Sequence, residues 1–328
     1  MNRRDTVLAL IALGSAAGPS LTLAQPVKPP HRIATLDDSP QSSRASEWAA
    51  FRKRLQALGY ADGSGFFLEP RWANAEAERL PALAAELVAL KPDVIVTASV
   101  VAALAAKRAT STIPIVSISA VDPVRIGLVA SFAKPGGNVT GVSIVSWDVS
   151  GKWLELLREI APKAKSIAFL TYTDNPGSVG QFRELQELGK PLGVEVQIFD
   201  GRNMTNVERA FDTMARKRID AFIVSASGVV LSQKRQIVEA AAHKRIPAVY
   251  GRREYVEAGG LMYYGADYDV LFPKAADYVH RILQGAKPAD LPFERASTFR
   301  LVVNAKAAKA LGLKIPESVR VRTDEVIQ

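Results

Sequence analysis

The stretch PDVIVTASVVAALAAKRATSTIPIVSIS (92–119) decides the fold of this chain. Its runs 94–97 and 115–119 are short, β-branched and apolar on both faces, as strands buried inside a parallel sheet are. The run 101–109 between them has a helical pattern. A strand, a helix and a second strand in this order predict a parallel sheet that is covered by helices.

The same alternation extends along the chain on both sides of this unit. Further strands are predicted at 32–36, 66–71, 139–144, 167–170, 194–199, 221–225 and 248–250, with amphipathic helices between most of them. The turn-rich break PGGN (135–138) marks the junction between two halves of the series. The sequence therefore predicts an α/β protein with two lobes, each built on its own doubly wound parallel sheet.

A cleft between two such lobes is the natural place for a ligand. In open α/β sheets, ligands bind outside the carboxyl ends of the strands, where helix N-termini present free N–H groups. This rule selects the segments 37–39, 99–101, 120–123, 172–175, 225–228 and 250–253.

The first 24 residues have the features of an export signal. Residues 2–4 (NRR) form a basic n-region, 7–17 form a short apolar run, and Thr22-Leu23-Ala24 suits a signal peptidase. About 11 apolar residues are too few to span a bilayer, which needs about 20. We expect cleavage near Ala24 and a soluble mature protein in the periplasm. The basic pair at 3–4 leaves export by the general or the twin-arginine route open.

The composition argues against several function classes. The formal net charge is +9, but the basic residues alternate with acids along predicted helices, for example in 152–159 and 183–190. Such mixed faces are typical of solvated helices, so we expect no nucleic-acid partner. The chain has no cysteine, which excludes a lipid-modified N-terminus and fits an oxidising compartment.

Catalytic motifs are weak throughout. The three histidines lie far apart without metal-binding spacing, and the chain lacks a GxSxG elbow, a phosphate-binding loop and a dinucleotide fingerprint. The pair Asp37-Asp38 is a candidate for acid–base work, but no complementary acid can be assigned. We interpret it as a loop of solvated or helix-capping acids, and we expect no enzyme activity, no metal and no cofactor.

Six longer runs carry a resemblance to a known family. They are LAAELVALKPDVIV (83–96), RATSTIPIVSISAVDPV (108–124), LVASFAKPGGNVTG (128–141), GKWLELLREIAP (151–162), YGRREYVEAGGLMYYG (250–265) and AKALGLKIPESV (308–319). In these runs the chain resembles the extracytoplasmic substrate-binding proteins of the ABC_sub_bind family of ABC transporters, which are related to tryptophan-binding TrpX proteins. The runs occur in the expected order over nearly all of the mature chain.

The resemblance implies a two-lobed periplasmic-binding-protein fold related to type I, with three hinge crossings. The first lobe would comprise 31–143 and 265–298, the second 146–262, and the C-terminal segment 299–328 would cross the hinge again. Lobe closure on a small molecule would be a hinge motion. The closed form, a monomer, would then dock on the permease of an ABC importer in the inner membrane.

The strand-end rule and the resemblance together select the candidate ligand-binding residues. They are Asp38, Ser99, Val100, Asp122, Tyr172, Asp174, Asn175, Ser227, Tyr250, Arg252 and Tyr264. Backbone N–H groups at 99–101 can hold a carboxylate at a helix N-terminus, and the arginine can pair with an anion. The three tyrosines can stack on a flat or apolar ligand.

Each of these residues also has a purely structural interpretation. Asp122 can cap the next helix, Arg252 can bridge the lobes, and Tyr264 can pack at the hinge.

Two departures from the family pattern bear on specificity. Many members have GTPA where this chain has SVVA (99–102), so a threonine hydroxyl is missing. Many members also carry an acid near Ser227, whereas this chain has SASG (225–228). Without that acid, an α-amino group loses its natural partner. The departures favour a carboxylate or another small solute with apolar and polar parts.

The leading functional prediction is a solute receptor that delivers a small molecule to an ABC importer. Two alternatives stay open. One is an exported α/β enzyme that uses the same cleft, and the other is a sensing module that presents a bound ligand to a membrane receptor.

Overall fold

The computed structural model describes residues 29–144 and 146–328, so the predicted export signal at 1–24 lies outside the described residues. The strands are β1 (His31–Asp37), β2 (Phe66–Trp72), β3 (Val94–Thr97), β4 (Ile115–Val121), β5 (Val139–Ile144), β6 (Ser166–Thr171), β7 (Glu195–Asp200), β8 (Ala221–Val224), β9 (Ala248–Tyr250), β10 (Met262–Ala266), β11 (Glu294–Arg295), β12 (Phe299–Asn304) and β13 (Glu325–Ile327). The helices are α1 (Ala45–Ala57), α2 (Leu80–Ala89), α3 (Val100–Ala109), α4 (Ser146–Ile160), α5 (Pro176–Gly189), α6 (Met204–Arg216), α7 (Gly228–Leu231), α8 (Lys234–Lys244), α9 (Glu254–Glu257), α10 (Tyr268–Leu283), α11 (Ala305–Leu311) and α12 (Glu317–Arg320).

The first sheet has the strand order β11-β5-β4-β3-β1-β2, and every pair in it is parallel. Helices cover both of its faces, as the 92–119 stretch predicts. Val94 and Val96 pack in the cluster that includes α1 and α10, whereas Ile95 packs in the cluster with α2 and α3. Successive side chains of a strand point to opposite faces, so a strand covered on both sides must be apolar throughout.

The second sheet has the order β13-β12-β10-β9-β8-β6-β7. Its strands are parallel except at β10 and β12, which run antiparallel. The predicted parallel pattern therefore does not extend to β12. The reason is the route of the chain, because β12 enters this sheet from the first lobe and not through a helical crossover.

Within the described residues, the chain passes between the sheets three times: after β5, between β10 and α10, and between β11 and β12. We call 31–144 with 268–295 the first lobe, and 146–266 with 299–327 the second lobe. The turn at 135–138 precedes β5 and so lies inside the first lobe. The segment 299–328, predicted as a hinge crossing, supplies β12 and β13 to the second sheet.

No helix among the described residues combines the length and the apolar character needed to cross a membrane.

Candidate functional site

A cavity of about 60 Å³ lies between the two lobes, at the carboxyl ends of the central strands. The first lobe contributes the residues that follow β1 and β3, together with the ends of β4 and β5. The second lobe contributes α4, the start of α5 and the turns after β8 and β9. The lining residues are Asp38, Arg44, Ala98, Ser99, Val100, Val121, Ile144, Val149, Trp153, Asn175, Ser178, Gln181, Ser225, Ala226, Ser227, Gly228, Gly251, Gly265, Ala266 and Tyr268.

Two buried acids follow β1 at the edge of this cavity. Asp37 accepts hydrogen bonds from the Ser39 amide (3.0 Å), the Ser39 hydroxyl (2.7 Å) and the Trp48 indole N–H (3.2 Å). Asp38 is only 2% exposed, and its Oδ1 has no hydrogen-bond partner in the described part of the chain. The interpretation of this pair as solvated acids is wrong, because the folded chain covers both side chains.

The environment of Asp38 favours its protonated form. Burial raises the pKa of its carboxyl from 3.8 to about 7, and the negative charge of Asp37 adds to the rise. The positive charge of Arg44 acts in the opposite direction. Asp38 is therefore an acid that can exchange a proton near neutral pH.

Arg44 is the one cationic side chain among the described residues that line the cavity, and it is 2% exposed. Its Nε lies 3.5 Å from Oδ2 of Asp37. Within the described residues, neither Nε nor Nη1 has a hydrogen-bond partner. The guanidinium lies against Gly228 of the second lobe, where a Cβ atom would be 2.5 Å from Nε. A buried arginine with unused donors is suited to an anionic group of a ligand.

Polar groups at helix starts complete the cavity wall. Ser99 caps α3 by accepting a hydrogen bond from the Ala102 amide (3.3 Å), and Asn175 caps α5 by accepting one from the Gly177 amide (2.9 Å). Ser225 accepts a hydrogen bond from the Thr171 hydroxyl (2.8 Å). The remaining surface is largely apolar, so the cavity suits a solute with both polar and apolar parts.

Of the sequence-predicted candidates, the structure brings five together at this cavity: Asp38, Ser99, Val100, Asn175 and Ser227. Contact between these residues and a ligand stays a prediction.

Asp122 and Asp174 lie in a separate outer groove between the lobes. Oδ1 of Asp122 accepts a hydrogen bond from the Arg125 amide (3.1 Å), and Asp174 pairs with Arg202 (2.7 Å). Both side chains therefore have local partners outside the cavity.

The three candidate tyrosines do not line the cavity. Tyr172 and Tyr250 are buried within the core of the second lobe, where Tyr250 stacks on Tyr255 with 4.8 Å between ring centroids. Tyr264 stacks on Phe299, with 6.2 Å between centroids. Packing of Tyr264 against the strand that returns from the first lobe matches its structural interpretation, hinge packing.

Arg252 is 1% exposed and lies in a second buried cluster of charges. Its ion-pair partners are Glu254 of its own lobe and Glu47 of the first lobe. Its guanidinium also lies 3.8 Å from the ring centroid of Tyr268. Burial opposes its charge, but the carboxylates of Glu254 and Glu47 hold the Arg252 pKa well above its usual range. The pair with Glu47 matches the alternative interpretation of Arg252 as a bridge between the lobes.

Among the cavity residues that sequence reasoning missed are Arg44, Trp153, Gln181 and Tyr268. The last three lie on helices whose apolar spacing indicated core or surface positions. Arg44 precedes α1 in a serine-rich turn that carries no motif, so no local signal distinguished it from a surface arginine.

The described residues contain no group of three or more His, Cys, Asp or Glu side chains placed to hold a metal ion.

Comparison with known proteins identifies the family. The family described as ABC transporter substrate binding protein matches residues 40–327. The chain belongs to this family. A tyrosine-binding protein from Clostridioides difficile (strain R20291) is 30% identical over 283 residues, which are 86% of this chain and 80% of that protein.

Solved structures of this family show the same fold, which confirms the predicted two-lobed type I-like architecture. An ABC domain from Streptococcus pneumonia in complex with L-Trp has a TM-score of 0.83 at 27% identity, over 91% of this chain and 100% of that chain. A ligand-free, open substrate-binding protein with adhesive properties from Clostridium difficile has a TM-score of 0.63 at 29% identity, over 91% and 99%. The structure therefore superposes more closely on the L-Trp complex than on the ligand-free, open structure.

Proposed function

We propose that this family member is an extracytoplasmic solute-binding protein that captures a small molecule between its lobes and delivers it to an ABC importer. The observation that carries the proposal is the interlobe cavity, in which two buried ionisable side chains, Asp38 and Arg44, have polar atoms without a hydrogen-bond partner among the described residues. Buried polar groups without partners are strongly unfavourable. A ligand that supplies the missing partners would stabilise the closed arrangement.

The leading candidates for the solute are aromatic α-amino acids, and to admit one the cavity of about 60 Å³ must widen through lobe opening or side-chain movement. The names of two relatives, a tyrosine-binding protein and an L-Trp complex, support this choice. Trp153 and Tyr268 supply aromatic surface in the cavity wall, and Val100 and Val149 add apolar surface. A small carboxylate is the second candidate, since Arg44 can bind a carboxylate that has no amino group.

Delivery to a permease requires a closed form that differs from the open one. The buried pair between Arg252 and Glu47 joins the two lobes beside the cavity, so it supports a discrete closed state. Following the family, we infer a periplasmic protein that acts as a monomer and presents its closed lobes to the inner-membrane permease.

We infer no catalytic role for the cleft. The family is named for substrate binding, and Asp37 is occupied by hydrogen bonds from Ser39 and Trp48. Its carboxylate therefore holds the turn after β1 in place.

Native mass spectrometry of the protein purified without denaturation tests the proposal. It is followed by a thermal-shift screen of amino acids, aromatic acids and small carboxylates. A solute at 100 times its Kd would raise the free energy of unfolding by about 2.7 kcal/mol. A bound molecule that is released unchanged supports a receptor, and one that is released chemically altered points to an enzyme.

A further inference from the structure

The ionisable groups at the Asp38 end of the cavity would be unbalanced if all of them carried a charge. Arg44 lies 3.5 Å from Oδ2 of Asp37, so these two opposite charges offset each other. Asp38 lies next to them, and its Oδ1 has no hydrogen-bond partner in the ranges that the structure describes. If all three groups are ionised, the cluster carries one excess negative charge. A cation from outside the protein can balance that charge.

The position of Asp38 is fixed by its backbone. The Ala73 amide donates to the Asp37 carbonyl (2.9 Å), and the Ala75 amide donates to the Asp38 carbonyl (2.7 Å). Asn74 and Ala75 adopt left-handed conformations, with φ of 54° and 70°. The left-handed conformation is unfavourable for residues other than glycine, so it persists only where the surrounding structure imposes it. The carboxyl of Asp38 is thus presented to the cavity from a constrained turn.

The groups around Asp38 come from both lobes. Asp37 and Ser99 interact with it within the first lobe, and Arg44 supplies a positive charge. From the second lobe, the phenol of Tyr172 is buried close enough for Asp38 to contribute to the raised pKa of that hydroxyl, after burial and Asp174. Among the described residues, no lysine and no second arginine lines the cavity. An ammonium group on the solute would therefore be the natural partner of an ionised Asp38.

We propose that Asp38 accepts the ammonium group of the solute, and that solute binding releases the proton that Asp38 holds in the empty cavity. This inference rests on the proposed function, because it assigns a role within the same cleft. It names the solute class as a primary amine that also carries a carboxylate, with Arg44 as the partner of the carboxylate. The acid that is missing near Ser227 in the second lobe would thus be replaced by an acid of the first lobe.

The proposal predicts the sign of the pH dependence. An ammonium group binds the ionised carboxylate, so a protonated Asp38 must lose its proton before or during binding. Because the pKa of Asp38 in the empty cavity is about 7, affinity should rise as the pH rises towards 7 and level off above it. Below pH 7 the Kd should increase roughly tenfold for each unit by which the pH falls.

Calorimetric titration with matched ligands tests the proposal. The probes are L-tryptophan, L-tyrosine and L-phenylalanine, each paired with the propionic acid that lacks its amino group. Titrations run from pH 5 to pH 7 in two buffers of different ionisation enthalpy, which gives the number of protons released. We expect an amino acid to bind about 100-fold more tightly than its deamino partner, and close to one proton to be released at pH 6.

Two variants separate the role of the charge from general damage to the fold. Asp38→Asn keeps the size of the side chain and removes its charge, so amino-acid binding should weaken about 100-fold and lose its pH dependence. Binding of the deamino partner should change little. Asp212→Asn is the matched control, because Asp212 lies on α6 at the surface with Lys244 as its partner at 3.5 Å. It should bind like the unaltered protein.

The outcomes distinguish failure of the role assigned to Asp38 from failure of the proposed receptor function. If a deamino acid binds as tightly as its amino acid, or if the Kd of the amino acid is independent of pH, the role of Asp38 is overturned and the receptor remains. If neither the six probes nor any solute of the thermal-shift screen binds, and the purified protein carries no small molecule, the assignment of Asp38 and the receptor are both overturned.

Discussion

Two buried arginines lie on the cleft and differ in how completely their charges are matched. Arg252 is paired with carboxylates from both lobes and lies over the ring of Tyr268. Arg44 is equally buried, but only Asp37 lies within ion-pair distance among the described residues. Nε and Nη1 of Arg44 lack hydrogen-bond partners within that part of the chain, whereas at Arg252 only Nη1 lacks one, since Nε and Nη2 donate to Glu254.

This difference supports a structural role for Arg252 and the proposed ligand-binding role for Arg44. A buried charge with close partners contributes to a defined arrangement of the lobes, although such a pair adds little net stability over an apolar replacement. A buried charge with several unused donors is unfavourable, and a ligand that supplies acceptors would remove that cost. Substitutions that change one cluster at a time, together with one at an exposed ion pair, test this comparison.

Replacing Arg252 should have the largest effect on stability. In Arg252→Met the carboxylate of Glu47, which is 4% exposed, loses its buried counterion. We expect the free energy of unfolding to fall by about 3–5 kcal/mol, measured by urea denaturation. Glu254→Gln, which leaves the pair between the lobes in place, should lose less. A loss under about 1 kcal/mol for Arg252→Met would mean that the cluster does not hold the lobes together.

Removing the charge of Asp38 should stabilise the empty protein above neutral pH. The pKa is about 7 in the folded state against 3.8 ordinarily, so the folded protein binds more protons than the unfolded chain between these values. The stability of the unaltered protein therefore falls as the pH rises from about 4 to 7. Asp38→Asn avoids this fall and should be more stable at pH 8 by up to about 4 kcal/mol.

Urea denaturation of both proteins at pH 4, 6 and 8 measures this difference. It should be smallest at pH 4 and should grow with pH. An equal difference at all three values would contradict a titrating Asp38.

Adding a methyl group at Gly228 tests the fit of Arg44 between the lobes. The new Cβ would lie 2.5 Å from Nε of Arg44, so the guanidinium must move. We expect Gly228→Ala to lose about 1–3 kcal/mol of stability and to weaken solute binding. Gly180→Ala is the control, since its Cβ meets nothing within 4 Å and it lies inside α5. It should gain about 0.5–1 kcal/mol.

An exposed ion pair should give the smallest effect and set the baseline for both clusters. Lys190 and Glu187 pair at 2.7 Å, with both side chains about two-thirds exposed (68% and 67%). Solvent screens such pairs, so Lys190→Met should change the free energy of unfolding by less than about 0.5 kcal/mol. A larger loss in urea denaturation would show that charge removal by itself, and not burial, produces the effects at Arg44 and Arg252.

The strand-end rule predicted much of the cavity from the sequence. It reached Asp38, Ser99, Asn175 and Ser227 because the carboxyl ends of parallel strands meet at one edge of a sheet, whatever the side chains are. The rule also selected Tyr250, whose ring packs in the second-lobe core and does not line the cavity. A position at a strand end fixes where the backbone lies, but the direction of the side chain depends on packing.

The order of apolar and polar residues by itself determined β1 to β9, most of the helices between them and the edge at which the parallel strands end, because these depend on local periodicity and short connections. It did not indicate β10 to β13, which join their sheets where the chain passes between the lobes. Only the tertiary structure decided which charges are paired. Arg44 is 7 residues from Asp37 in the sequence, whereas Arg252 is 205 residues from Glu47. Neither spacing reveals burial, and burial is what raises the pKa of Asp38. Electrostatic energies depend on three-dimensional distance and solvent access, which the whole fold sets.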